Sequence, residues 1–374
     1  MRAPVSLRGS ILDSIEAIDA HIGDWDRLAI ASRRPTAAPA FGLGWLRHCA
    51  PPRTEPRIVV VRDADDVIGL APYFAQHGRY GRTDYRLLGS GIFHRIGLLA
   101  DPGAERAVAG AVGRALYEAT PAPSLVTLEG VGHTPDWQSL LAETFPGPLS
   151  PRRYVSSVHG APVVHLGART FDEWLAGKSS NFRQQARSLR RRAGAQGATF
   201  RLATAETLAN DLAAFARLHH LRWDGARGGT FLNDGIERAL AAAATDLVPR
   251  ERFRLWLVEL DDTPIGAQVF AEAGGELVYW NGGYDPAFAK LRPGFLLMLR
   301  AIEDACTLGV ERVDLGGGEH GYKLRFADGN DPIVWCGLMP RTRRYPVVRA
   351  QMLPSELSWR ARRFAKKLLD RTPR

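Results

Sequence analysis

The first clear hydrophobic pattern along the chain is Arg57-Ile-Val-Val-Val-Arg-Asp63, a β-branched run that meets a turn at Asp65-Asp66 and is answered by Ile68-Gly-Leu-Ala-Pro-Tyr-Phe74. Two apolar runs joined by two acidic turn residues predict an antiparallel hairpin. The same pattern returns as Phe253-Arg-Leu-Trp-Leu-Val-Glu-Leu260, a turn at Asp261-Asp262-Thr263-Pro264, and Ile265-Gly-Ala-Gln-Val-Phe270. Downstream of each hairpin stands a Pro-Gly pair, Pro102-Gly103 and Pro293-Gly294, opening a stretch of helical period that ends in a short strand-like run, Leu125–Glu129 and Val310–Leu315. In the second stretch Phe295, Leu299, Ile302 and Cys306 mark the apolar face, and Gly309 stops it. The landmarks recur in the same order at offsets of 197, 191 and 187 residues. We read a duplication.

Each half then predicts helices, a hairpin extended by a third strand (Glu276–Trp280 in the second half), a crossover helix and another strand. A strand–helix–strand crossover requires a parallel pair, so the fold class is α/β, with two mixed, mostly antiparallel sheets flanked by helices. The expected domains are 1–150 and 160–345, joined through the proline-rich stretch 145–151, with a basic amphipathic helix over 350–374. There Ser355 is the candidate cap, and Leu357, Ala361, Phe364 and Leu368 recur on one face.

Composition adds boundaries. The chain of 374 residues is 45% hydrophobic and 24% charged, typical of globular proteins, and its three cysteines form no CxxC pair. No cysteine-based zinc site or disulfide framework follows, and no residue clusters at metal-ligand spacing. His219-His220 lack a partner three or four positions away. With acidic residues ahead of any sustained apolar run and no span of 18 apolar residues, the expected location is cytoplasmic. The formal charge of +9 sits entirely in residues 341–374, which hold eleven basic and two acidic residues. This excess predicts peripheral contact of the tail with an anionic membrane, docking of its apolar stripe on the protein being the alternative, and the neutral remainder argues against sequence-specific nucleic-acid binding. Within that remainder, Lys178–Arg192 carries six basic residues and no acidic one, with Arg183, Arg187, Arg190 and Arg191 on one helical face. Such a stripe binds phosphates or is a solvated face.

The candidate chemistry gathers after the strands of the second half. Gly316–Gly321 satisfies G-x-G-x-x-G literally, but no acidic residue follows some twenty positions on, and a hairpin-containing sheet is the wrong context for a dinucleotide. Taken with Asn181-Phe182-Arg183, Leu218-His219, Arg222-Trp223, Gly282-Gly283-Tyr284-Asp285-Pro286, Arg292-Pro293-Gly294, Asp314-Leu315-Gly316-Gly317-Gly318 and Tyr322-Lys323, the second half resembles the GNAT acyltransferase superfamily. The resemblance is to the CelD/BcsL-type branch of cellulose and exopolysaccharide biosynthesis. The tandem arrangement is similar to FemAB-type peptidyltransferases, which use aminoacyl-tRNA.

The resemblance implies transfer of an acetyl or other acyl group from acetyl-CoA or another acyl-CoA to an amine of a small molecule, sugar or envelope-polysaccharide precursor. It places the donor's phosphates at Arg292, Pro293, Gly294 and Phe295, where a helix N-terminus favours anions, although proline removes one amide. For catalysis, Glu319 or His320 is the candidate base, Tyr284 or Tyr322 the candidate acid, and Lys323 the partner of a carbonyl or anionic oxygen. His219, Trp223, Asp285, Asp314 and Arg183 are the candidate substrate-binding residues. The alternatives are an aminoacyl-tRNA-dependent peptidyltransferase and a non-catalytic scaffold of an exopolysaccharide assembly.

Overall fold

The computed structural model of the protein describes residues 7–132, 135–223, 231–318 and 320–369. The chain divides into two compact units. One takes the chain up to Ser32, Pro51–His159 and everything from Pro332 on; the other takes Arg33–Ala50 and Gly160–Asp331. Each is a mixed sheet flanked by helices, as the hairpin and crossover patterns require.

In the first unit the strands are β1 (Arg8–Leu12), β2 (Glu55–Asp63), β3 (Asp66–His77), β4 (Thr83–Leu87), β5 (Leu99–Ala100), β6 (Leu125–Val131) and β7 (Arg152–His159), completed by the chain's last strand, β15 (Ile333–Met339). They pair in the order β1-β2-β3-β4-β6-β15-β7, with β5 against β3. The Asp65-Asp66 hairpin forms as expected, Val61 facing Gly69. Ile58 to Val61 are fully buried on both faces of β2, which is why that run shows no alternation. The crossover helix Glu105–Glu118 makes β4 and β6 parallel. After β4, residues 88–98 fold as a buried loop carrying Phe93, Ile96 and Leu98, and the Arg95 amide donates to the Gly130 carbonyl of β6 at 2.5 Å. The first unit thus lays its own backbone against β6 where β6 runs past β4.

The second unit contains β8 (Pro162–His165), β9 (Thr199–Leu202), β10 (Phe253–Leu260), β11 (Thr263–Ala273), β12 (Glu276–Tyr284), β13 (Arg312–Asp314) and β14 (Gly329–Asn330), ordered β14-β8-β13-β12-β11-β10-β9. The crossover helix Pro293–Thr307 makes β12 and β13 parallel. Its first helical residue is Pro293, the position where a missing amide hydrogen costs nothing.

One glycine position repeats between the units with the same physical role. A Cβ on Gly266 would come within 2.7 Å of Pro293 Cβ, and one on Gly69 within 2.5 Å of the Val108 methyls. In both units the crossover helix packs directly onto the bare backbone of the hairpin's second strand. The sequence match at Ile68-Gly69 and Ile265-Gly266 therefore records a shared packing contact.

The C-terminal helix departs from expectation. It runs from Tyr345 to Leu369, so Ser355 lies inside the helix and not at its start, and Pro354 is accommodated within it. The reason is tertiary: Val348 is buried in the first unit, and Glu356, also buried, pairs with Arg152 at 3.1 Å and Arg349 at 3.2 Å. These contacts hold the helical phase on both sides of a residue that by itself breaks a helix.

Candidate active site

The site grows out of a short strand pairing in the second unit. β12 and β13 are in register for only three pairs, Glu276 with Arg312 through Val278 with Asp314. β12 then continues to Tyr284, while the other chain leaves the sheet after Asp314 through Gly316–Gly318. Across β11 and β12 the register shifts between Val269–Asn281 and Phe270–Tyr279, leaving Trp280 as an extra residue. A bulge of this kind bends the strand and increases its twist. Beyond Val278, no strand pairs with β12 on its β13 side among the described residues, and this parting of the two strands is the opening.

Fixed groups at the base hold the two strands before they part. Asp314 is completely buried, and its Oδ1 accepts the Gly316 amide hydrogen at 2.7 Å. Arg312 pairs with Glu276 and, at 2.8 Å, with Asp331. Asp314 thereby secures the turn into the glycine loop.

Lys323 closes the opening from the short helix Gly321–Phe326. It is 5% exposed, and its Nζ donates to the Gly317 carbonyl at 3.0 Å and lies 5.3 Å from the centre of the Tyr279 ring. Burial pulls its pKa down to about 8, and Asp314 opposes that fall. Next to it, the Tyr279 hydroxyl is pushed well above its ordinary range by burial and by Tyr322, with which it shares a hydrogen bond. The Tyr322 hydroxyl is raised as well, mainly by burial, with Tyr279 and Arg222 opposing the rise. Although the Tyr322 residue is 42% exposed overall, its hydroxyl is the end turned inward to Tyr279. Both phenols are thus proton donors, not bases, at neutral pH.

Around this centre, the ring of His320 stacks 6.3 Å from that of Tyr322. On the other side, the Arg222 guanidinium lies 5.1 Å above the Tyr284 ring and 4.8 Å from the Trp223 ring. Trp223 donates its indole hydrogen to the Gly282 carbonyl at 3.2 Å, and His219 is buried 6.3 Å from Trp223, ring to ring. The helix Leu208–Trp223 comes this close because Gly283 has no side chain: a Cβ there would lie 2.3 Å from the His219 nitrogen. His320, Tyr322, Lys323, Tyr284, Trp223 and His219 are in this way linked through Tyr279 and Arg222. Glu319 lies outside the described residues.

The expected phosphate end is a separate feature. Arg292 is exposed in a left-handed conformation before the helix Pro293–Thr307. Phe295 and Leu296 already donate to the Arg292 carbonyl and Pro293 has no amide hydrogen, so Gly294 alone is left in that turn to donate. A phosphate there would meet one amide and one guanidinium, a spare cradle. Asp285 accepts the Ala287 amide at 2.9 Å and caps the turn before this helix. Arg183 is elsewhere, its guanidinium donating to the Ala176 carbonyl at 3.1 Å and to that of Lys178.

Sequence reasoning missed Tyr279, which sits in an apolar strand and reads as core. Arg222 was quoted with Trp223 among the residues that carry the resemblance but was given no role in the site. Among the described residues, no group of three or more His, Cys, Asp or Glu is placed to hold a metal ion.

No curated protein matches the chain. Among solved structures it is similar over most of its length to FemX, at 13% identity and a TM-score of 0.63, covering 87% of this chain and 98% of that one. It is also similar to L-PGS from Bacillus licheniformis, at 13% identity, a TM-score of 0.54 and coverage of 90% and 96%. A conserved protein of unknown function from Bacteroides thetaiotaomicron aligns at 12% identity, a TM-score of 0.56 and coverage of 88% and 99%. At these identities the likeness establishes the fold alone, two mixed sheets flanked by helices. Residues 180–324, which contain the opening between β12 and β13, match the family described as Acetyltransferase (GNAT) domain.

Proposed function

We propose that the protein is an N-acyltransferase whose second unit moves an acyl group from an acyl-CoA, acetyl-CoA in the simplest case, to an amine. The observation that carries this reading is the opening between β12 and β13, in a segment matching the acetyltransferase family, with Lys323, Tyr279 and Tyr322 at its inner end. The acyl carbonyl enters alongside the free edge of β12, within reach of the Lys323 ammonium. As the amine attacks, negative charge develops on that oxygen and the ammonium stabilises it. His320 is the described candidate to take the amine's proton, directly or through water. Tyr322, a phenol at neutral pH and bonded to Tyr279, supplies a proton to the departing thiolate. Trp223, Arg222 and Tyr284 form the wall on which the acceptor rests, and a saccharide or envelope-polysaccharide amine suits an aromatic and guanidinium surface of this kind.

A second reading exchanges the donor for aminoacyl-tRNA and keeps the same centre. The sparse phosphate cradle at Gly294 favours it, since a donor held elsewhere along its length needs few amides there. A thermal melt separates the two. Acetyl-CoA raises the melting temperature in proportion to log concentration if it binds the native state. No shift at millimolar acetyl-CoA together with a shift by charged tRNA overturns the CoA assignment, and no shift by either overturns acyl transfer.

A further inference from the structure

The second unit also contains a groove to which the site described above assigns no group. It has a volume of about 880 Å³ and lies between the helices Phe171–Ala176 and Ser180–Ala195, lined by Arg183, Arg187, Arg190 and Arg191, with Asp172 and Leu175 opposite. The helix has no freedom to turn these arginines away. Phe182, Ala186, Leu189 and Ala193 are buried on its other face, and Phe182 packs 5.5 Å from Phe295.

The four arginines divide into two kinds. Arg183 is tied to the backbone carbonyls of Ala176 and Lys178. Arg190 is held by Glu303 at 3.0 Å and lies 5.3 Å over the Phe171 ring. Arg187 and Arg191 are exposed, and neither is bonded to a carboxylate among the described residues. Like charges four apart on a helix destabilise it, and here Arg183, Arg187 and Arg191 repeat at that spacing without an acidic residue between them. A bound polyanion turns that repulsion into attraction.

We propose that this groove binds the pyrophosphate of a small molecule. Arg187 and Arg191 are one turn apart, about 6 Å, which lets each meet one of two adjacent phosphates, and the guanidinium fork suits phosphate oxygens. The apolar lining, Leu175 and Ala176, offers no aromatic face, so the groove reads phosphates and not bases. The pyrophosphate can come from the donor, as in CoA, or from a separate acceptor such as a nucleotide sugar. The assignment is independent of which donor the site uses.

Calorimetry with inorganic pyrophosphate tests it on the full chain. The wild type binds saturably, more weakly as salt rises, and Arg187→Ala/Arg191→Ala weakens binding at least tenfold with a melting temperature no lower than the wild type's, since both side chains are exposed and their mutual repulsion is relieved. Absence of saturable binding at millimolar pyrophosphate, or equal binding by the double variant, overturns the proposal. Parallel titrations with CoA and with UDP-glucose identify the source: a tenfold loss for CoA marks the donor's pyrophosphate, and a loss for UDP-glucose with CoA unchanged marks an acceptor's.

Discussion

Lys323 is where burial and chemistry conflict most openly. A pKa of about 8 against the ordinary 10.5 means that the folded chain keeps this ammonium at neutral pH at a cost of about 3 kcal/mol. A lysine with a lowered folded pKa binds fewer protons folded than unfolded between about 8 and 10.5. Stability therefore rises with pH through that window. If the ammonium stabilises the oxyanion, kcat falls over the beginning of the same window as the proton leaves. Lys323→Met should then lose on the order of 10²–10³ in kcat while melting at a higher temperature than the wild type at pH 7. Lys323→Arg should keep part of the activity with its fall displaced to higher pH. A variant that loses activity and stability together would make Lys323 a structural support of the Gly316–Gly317 loop. Lys323 was legible as a candidate through the Tyr322-Lys323 pair that carries the resemblance. Tyr279 was not, because a tyrosine among Leu277 and Val278 has the pattern of any buried strand, and only the bulge at Trp280 reveals what its hydroxyl faces.

At the scale of elements, the hairpins and crossover helices and their shared order in the two units were legible since each rests on local signals: period, a turn, a Pro-Gly start. The C-terminal helix starts before its expected cap at Ser355 because the burial of Val348 and Glu356 carries it through Pro354. What remains of the amphipathic pattern begins at Leu357, which is 55% exposed, so the stripe does not start out docked on the first unit. The sequence continues it with Ala361, Phe364 and Leu368 beside Arg362, Arg363, Lys366 and Lys367. We propose an anionic membrane surface as its partner, each cation near the headgroups contributing about 1 kcal/mol. The chain should sediment with vesicles containing phosphatidylglycerol and remain in solution with neutral ones. Removing residues 358–374 should abolish that sedimentation, and undiminished sedimentation would show that another surface is responsible. Among the described residues no helix is long and apolar enough to cross a membrane.

For the whole molecule, the strand order contains what no local pattern announces. The first sheet is completed by a strand from beyond the second unit's sequence, β15, which enters between β6 and β7, and in the second sheet β8, the first strand of that unit, enters between β13 and β14. Residues 33–50 likewise belong to the second unit, although they precede most of the first. Such pairings are set by long-range packing, and a four-residue strand such as β8 has too little sequence to state its neighbour. The helix Pro39–His48 shows how closely the early segment is built in. A Cβ on Gly44 would come within 2.8 Å of the Ala239 carbonyl oxygen, and Phe41 stacks 6.3 Å from Phe253, the first residue of β10. A fragment spanning 160–331 contains every strand of the second sheet but leaves that apolar surface bare. It should therefore melt without a cooperative transition or aggregate, while fusing residues 33–50 to it through a flexible linker should restore a sharp melt and any acetyl-CoA shift. A cooperative melt of 160–331 alone, at the temperature of the fused form, would show that the early helix is an accessory and that the second unit is complete without it.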